Sequence, residues 1–124
     1  MKSPHHARTA LIVTLALLML APVLAPAADL FFLQNLPVDW MTREDAQMMW
    51  ASVQQVLEEN EDQTTLIWEN PETGAGGELT PIGSYTKGEM PCRRLQIFNR
   101  AGKDEARWTF GFCKDPQRGW LVDR

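Results

Sequence analysis

Residues 42–60 carry apolar side chains at the spacing of an amphipathic helix. Thr42 followed by Asp45 resembles a capping box, with Asp in place of the usual Glu or Gln. Apolar residues then recur every three or four positions on one helical face, namely Ala46, Met49, Val53, Val56 and Leu57. The pattern predicts a helix that begins after Thr42 and ends near Asn60.

The residues after the helix are predicted to form strands, because β-branched and aromatic residues cluster between glycine and proline turn signals. The predicted strands cover residues 64–69, 78–81 with 83–86 as one kinked strand, 92–99, 105–113 and 120–122. Together the elements predict an α+β fold. We expect one small antiparallel sheet of about four to five strands. A single helix, N-terminal to the strands in the chain, packs on this sheet.

The N-terminus has the order of a cleavable signal peptide. Lys2 and Arg8 precede an apolar run, which Pro22 breaks, and residues 25–27 form a small-x-small cleavage pattern. An uncleaved membrane anchor is the alternative, but the run is short for a span of about 20 residues. We therefore expect a signal peptide at residues 1–27, an apolar leader at 28–41 and one folded domain at 42–124. No membrane span is expected after cleavage.

Cleavage would change the chemistry available to the protein. Both histidines, His5 and His6, would leave, so residues 28–124 contain none. They keep all 16 acidic residues and 10 of the 12 basic ones, which gives a net charge of −6. Nucleophiles activated by histidine and ordinary zinc sites are therefore not expected, nor is general binding of nucleic acid. We expect no cofactor and no catalytic or metal-binding residues.

Cys92 and Cys113 are predicted to form a structural disulfide. A tight turn at Gly102-Lys103 pairs residues whose numbers sum to 205, as the two cysteine numbers do. Directly opposed side chains in antiparallel strands lie close enough to be bridged. A redox role is the alternative, but catalytic pairs usually have Cys-x-x-Cys spacing beside a helix start.

The same register raises a question about the faces of the sheet. It sets Leu95 opposite Phe110 and Ile97 opposite Trp108. Strict alternation places these apolar residues on one face and both cysteines on the other. Either the bridge covers the outer face or a bulge shifts one strand, and the sequence leaves both arrangements open.

Two arginines and several tryptophans are candidates for an interaction surface. Arg93 and Arg94 follow Cys92 and could hold an anionic ligand, although neighbours in a strand point to opposite faces, which favours surface ion pairing. Trp68 and Trp120 are candidates for an aromatic-lined surface, while core packing is the alternative for such residues. The candidate interaction surface is therefore Trp68, Arg93, Arg94 and Trp120.

An ordered series of short motifs resembles the bacterial surface-antigen domain of outer-membrane antigens. The series runs WENPETG (68–74), GELTP (77–81), Tyr85, CRR (92–94), GK (102–103), GFCK (111–114) and GW (119–120). The resemblance covers roughly residues 42–122. It implies an envelope location, a small helix-plus-sheet domain with paired cysteines, and no known enzymatic activity.

The chain departs from many members of that family in two ways. It has no lipid-anchoring cysteine after the apolar run, and no glycine precedes Gly74, so a glycine zipper is missing. Both departures favour a soluble periplasmic or secreted form over an anchored one. We expect a non-enzymatic envelope protein with a structural or interaction role. The alternative is a periplasmic binding module or inhibitor that recognises a protein or a glycan.

Overall fold

The computed structural model describes residues 40–124, which form one helix and one five-stranded antiparallel sheet. The helix α1 covers Arg43–Glu59. The strands follow in chain order as β1 (Leu66–Glu69), β2 (Gly76–Lys87), β3 (Met90–Ala101), β4 (Asp104–Asp115) and β5 (Gly119–Val122). Each strand pairs with the next, so that the sheet order is also the chain order. The predicted α+β class is confirmed, whereas the signal peptide and residues 28–39 of the leader lie outside the described residues.

The helix begins and ends as its sequence predicts. The hydroxyl of Thr42 accepts a hydrogen bond from the backbone N–H of Asp45, and the Asp45 carboxylate accepts one from the backbone N–H of Thr42. This reciprocal pair satisfies two backbone donors that would otherwise lack helical partners. The predicted apolar face is buried, and it packs against one face of the sheet, here called the inner face.

The central strands are longer than the sequence predicts. The predicted pieces 78–81 and 83–86 form one strand, β2, whose register against β3 shifts between Pro81 and Gly83. Strands β3 and β4 continue to the two-residue turn at Gly102-Lys103, where Gly102 has φ +59°. Glycine adopts this left-handed backbone without the steric cost that a side chain adds. The strands therefore reach the turn itself.

The pairing of β3 with β4 answers the question about the faces of the sheet. Cys92 lies opposite Cys113, Leu95 opposite Phe110 and Ile97 opposite Trp108, as predicted. The register is unbroken along both strands, so the disulfide lies on the face opposite to α1, here called the outer face. The bridge is buried even there, between Tyr85 on β2 and Leu121 on β5 in the strand register.

Gln54 ties the helix to the last strand. Its side-chain amide donates to the backbone C=O of Trp120 at 2.8 Å and accepts from the backbone N–H of the same residue at 3.0 Å. A side chain thus takes the place of a neighbouring strand at this edge of β5. The contact fixes α1 across the sheet and covers part of an edge that would otherwise be open.

Replacing both Cys92 and Cys113 with Ser should lower the free energy of unfolding by roughly 3 kcal/mol in the chain-entropy model. The bridge closes a loop with a sequence separation of 21, and its removal frees the unfolded chain. Urea unfolding of the oxidised wild-type protein and of the double variant measures the difference. An unchanged midpoint would contradict a stabilising role for the bridge.

Candidate interaction surface

The two tryptophans of the candidate surface lie in the core. Trp68 is 3% exposed, and its indole N–H donates to Oδ1 of the buried Asn99 at 3.0 Å. Trp120 is 6% exposed and donates to Oε2 of Glu58 at 3.0 Å. Each ring packs with the apolar cluster beneath the helix while its polar atom finds a partner, as buried tryptophans usually do. Neither offers an exposed ring to a ligand.

Arg93 caps the C-terminal end of the helix. Its guanidinium donates to the backbone C=O of Leu57 and to the carboxylate of Asp62, both at 2.7 Å. The last turn of α1 contains no basic residue, so Arg93 brings a cation from β3 to the negative end of the helix dipole. Arg93 is therefore an ion-pairing residue of the inner face.

Arg94 points to the other face of the sheet. Its guanidinium carbon lies 5.0 Å from the centre of the Tyr85 ring, within the range of a cation–π contact. The expectation that Arg93 and Arg94 serve opposite faces is correct. The structure thus does not bring the four candidate residues together, and only Arg94 belongs to the outer face.

The centre of the outer face consists of aromatic rings beneath arginines. Phe98 on β3 lies opposite Arg107 on β4, and the guanidinium carbon of Arg107 is 4.8 Å from the centre of the Phe98 ring. Arg107 also donates to the side-chain carbonyl of Gln96 at 3.2 Å. Tyr85 with Arg94 repeats this arrangement nearer the disulfide. We refer to Tyr85, Arg94, Gln96, Phe98 and Arg107 as the outer patch.

A network of charged groups holds the Tyr85 end of the outer patch. The Tyr85 hydroxyl donates to Asp123 at 2.7 Å, and Lys87 bonds the other oxygen of that carboxylate at 2.5 Å. A Cβ atom on Gly111 would come within 2.2 Å of the Tyr85 oxygen, so glycine leaves room for the ring. Burial raises the pKa of Tyr85 and the bond to Asp123 adds to that, while the bonds from Lys87 and Tyr85 lower the pKa of Asp123.

A buried carboxylate connects the helix to the turn after β1. Asp45 is 1% exposed, and its Oδ1 accepts from the Asn70 amide at 2.7 Å and the Thr73 hydroxyl at 2.6 Å. Burial alone would raise the pKa of Asp45. The hydrogen bonds from Thr73, Thr42 and Asn70 outweigh this effect and hold the pKa below its usual value. This carboxylate therefore has a structural role.

Sequence reasoning missed Tyr85, Phe98 and Arg107 as parts of one surface. The necessary signal was present, since 98 and 107 also sum to 205 and so follow from the same register as the cysteines. The candidate surface was predicted from residue type, namely tryptophan and a pair of adjacent arginines. The alternation of the strands, and not the residue type, decides which side chains share the outer face.

Several kinds of site are absent from residues 40–124. Within that range no three metal-ligating side chains lie close enough together to hold an ion, and no helix is long and apolar enough to cross a bilayer. Every buried side-chain nitrogen or oxygen atom of the described residues has a hydrogen-bond partner.

Comparison with known proteins gives one match. The family model described as the 17 kDa outer membrane surface antigen matches residues 55–121, from the second half of α1 into β5. No curated protein and no solved structure gives a match. The match confirms the family resemblance drawn from the sequence motifs and supports an envelope-associated, non-enzymatic protein.

Replacing Asp45 with Asn should destabilise the fold by roughly 2 kcal/mol at neutral pH, because an amide cannot accept all three hydrogen bonds. The folded pKa lies below the ordinary value of 3.8, so the carboxylate stabilises the fold above that value. This contribution is lost as the pH falls through the lower folded pKa.

Urea unfolding from neutral pH down to about pH 2 tests the Asp45 prediction, with the difference between wild type and variant shrinking below about pH 4. Glu44→Gln is the matched control, since Glu44 is exposed in the same helical turn. A difference that stays constant down to the lowest pH would contradict the charged role of Asp45.

Proposed function

Because the chain belongs to the family of 17 kDa outer membrane surface antigens, we propose that its mature form is a non-enzymatic interaction module of the bacterial periplasm. In this proposal residues 1–27 direct export and are removed. The outer patch then contacts another protein of the envelope, and the helix and inner face serve only to support the sheet.

The composition and exposure of the outer patch carry the proposal. Tyr85 and Phe98 are half-buried, and each lies beneath an exposed arginine. Aromatic residues and arginine are enriched at protein interfaces and among the residues that dominate their binding energy. A sheet face of this composition suits a protein surface of complementary shape and charge.

The fold holds the outer patch rigid. The disulfide joins β3 to β4 beside Tyr85, and α1 covers the opposite face of the same sheet. A partner would therefore meet preformed contacts and would not have to order them, which reduces the entropic cost of binding.

A glycan is the second candidate partner that the sequence raises. Sugars commonly bind by stacking on an open aromatic face. The rings of Tyr85 and Phe98 already carry guanidinium groups on their exposed sides, at 5.0 and 4.8 Å. This arrangement favours a protein partner over a glycan.

Crosslinking in intact cells, followed by periplasmic extraction and affinity capture of the full-length chain, tests the proposal. We expect a stoichiometric protein partner, and a captured chain whose mass corresponds to a start at Ala28. Arg94→Ala should reduce recovery of the partner at least about tenfold, on the scale of an interface hot spot.

Arg118→Ala is the matched control, because Arg118 is an exposed arginine in the turn between β4 and β5 and lies outside the outer patch. It should recover the partner as the wild-type chain does. Equal recovery by the Arg94 variant would exclude the outer patch as the binding surface. Retention of residues 1–27 would contradict the exported mature form.

A further inference from the structure

Among residues 40–124, no strand pairs with most of the β4 edge that faces away from β3. Strand β4 covers Asp104–Asp115, whereas β5 pairs only with the four residues from Phe112 to Asp115. The ladder extends by one further bond, from the N–H of Asp123 to the C=O of Gly111 at 2.8 Å. No strand of the described part of the chain therefore pairs with the edge from Asp104 to Thr109.

The register identifies the backbone groups that point to this open edge. The Cα atoms of Cys92 and Cys113 are 4.0 Å apart, which is typical of a pair that exchanges no backbone hydrogen bonds. Every second residue of β4, counted from Cys113, likewise forms no backbone hydrogen bonds with β3. The N–H and C=O groups of these residues therefore point away from β3. In the open part of the edge these residues are Glu105, Arg107 and Thr109.

Charged side chains flank these backbone groups on the outer face. Glu105 and Arg107 are both exposed, and among residues 40–124 neither lies within salt-bridge distance of an opposite charge. A shallow depression of about 290 Å³ lies on β3 and β4 beside these charges, lined by Phe98, Glu105, Ala106 and Arg107. Among residues 40–124 the edge thus combines backbone groups that no strand pairs with and two opposite charges that form no salt bridge, although Arg107 also contacts Phe98 and Gln96.

We propose that this edge pairs with the same edge of a second copy of the chain, antiparallel and about a two-fold axis at Ala106. In this register Glu105 of each copy faces Arg107 of the other. The two pairs exchange four backbone hydrogen bonds and form two cross-strand ion pairs. The two five-stranded sheets become one continuous sheet, and the contact is self-complementary as two-fold symmetry requires.

The charges favour the two-fold axis at Ala106 over an axis at the neighbouring Arg107. An axis at Arg107 also aligns backbone donors with acceptors, but it sets the two Arg107 side chains directly opposite each other. Like charges in that position destabilise a strand pair. The inference concerns a contact between identical chains and does not depend on the proposed envelope partner.

Single cysteines introduced into the oxidised, mature protein test the register. Ala106→Cys should form a disulfide-linked dimer under mild oxidation, because the two residues are directly opposed in a pair without backbone hydrogen bonds. Thr109→Cys is the control and should remain monomeric on a non-reducing gel, since the axis places its two copies far apart. Equal crosslinking by both variants, or crosslinking by neither, would overturn the proposal.

Charge reversal tests the pairing without any new cysteine. Arg107→Glu should weaken self-association at least tenfold in sedimentation equilibrium. The double change Glu105→Arg with Arg107→Glu should restore it, because each pair again joins opposite charges. Arg43→Glu, an equal charge change in the first turn of α1, should leave it unaltered. A wild-type protein that stays monomeric at millimolar concentration, or a double variant no better than the single one, would contradict the proposal.

Discussion

The pairing of β3 with β4 is the constraint on which the rest of this structure depends. One register, fixed at a two-residue turn, sets Cys92 against Cys113 and decides the face to which every neighbouring side chain points. The apolar residues that it directs inward form the floor on which α1 packs. The residues that it directs outward form the outer patch, and the same alternation fixes which backbone groups of β4 point away from β3.

Polar contacts position the helix on this floor at three points. Asp45 holds its start to the turn after β1, Gln54 holds its middle to β5, and Arg93 holds its end from β3. Apolar burial supplies most of the stability but has no direction, whereas each of these hydrogen bonds requires one geometry. The helix is therefore fixed in orientation as well as in depth. In the proposed function, this leaves the opposite face of the sheet available for a partner.

Local patterns predicted much of this architecture, because helix periodicity, a capping box and a tight turn act over short distances. The β3–β4 register followed from arithmetic about one turn, and the disulfide confirms it. The contacts of Asp45 with Asn70 and Thr73 could not be predicted in this way, since they join segments separated by about 25 residues. The sequence left a surface and a core position both open for Trp68 and Trp120, because an aromatic residue with a polar atom suits either, and the structure places both in the core.

Hydrogen exchange of the backbone amides of β4 tests the central register most directly. In dilute protein, the amides of Ala106 and Trp108 should exchange slowly, because the register directs them to β3. Those of Glu105, Arg107 and Thr109 should exchange quickly, because they point to the open edge. The opposite pattern, with these three protected and Ala106 and Trp108 exposed, would mean a shift by one residue and would contradict the account of both faces and of the edge.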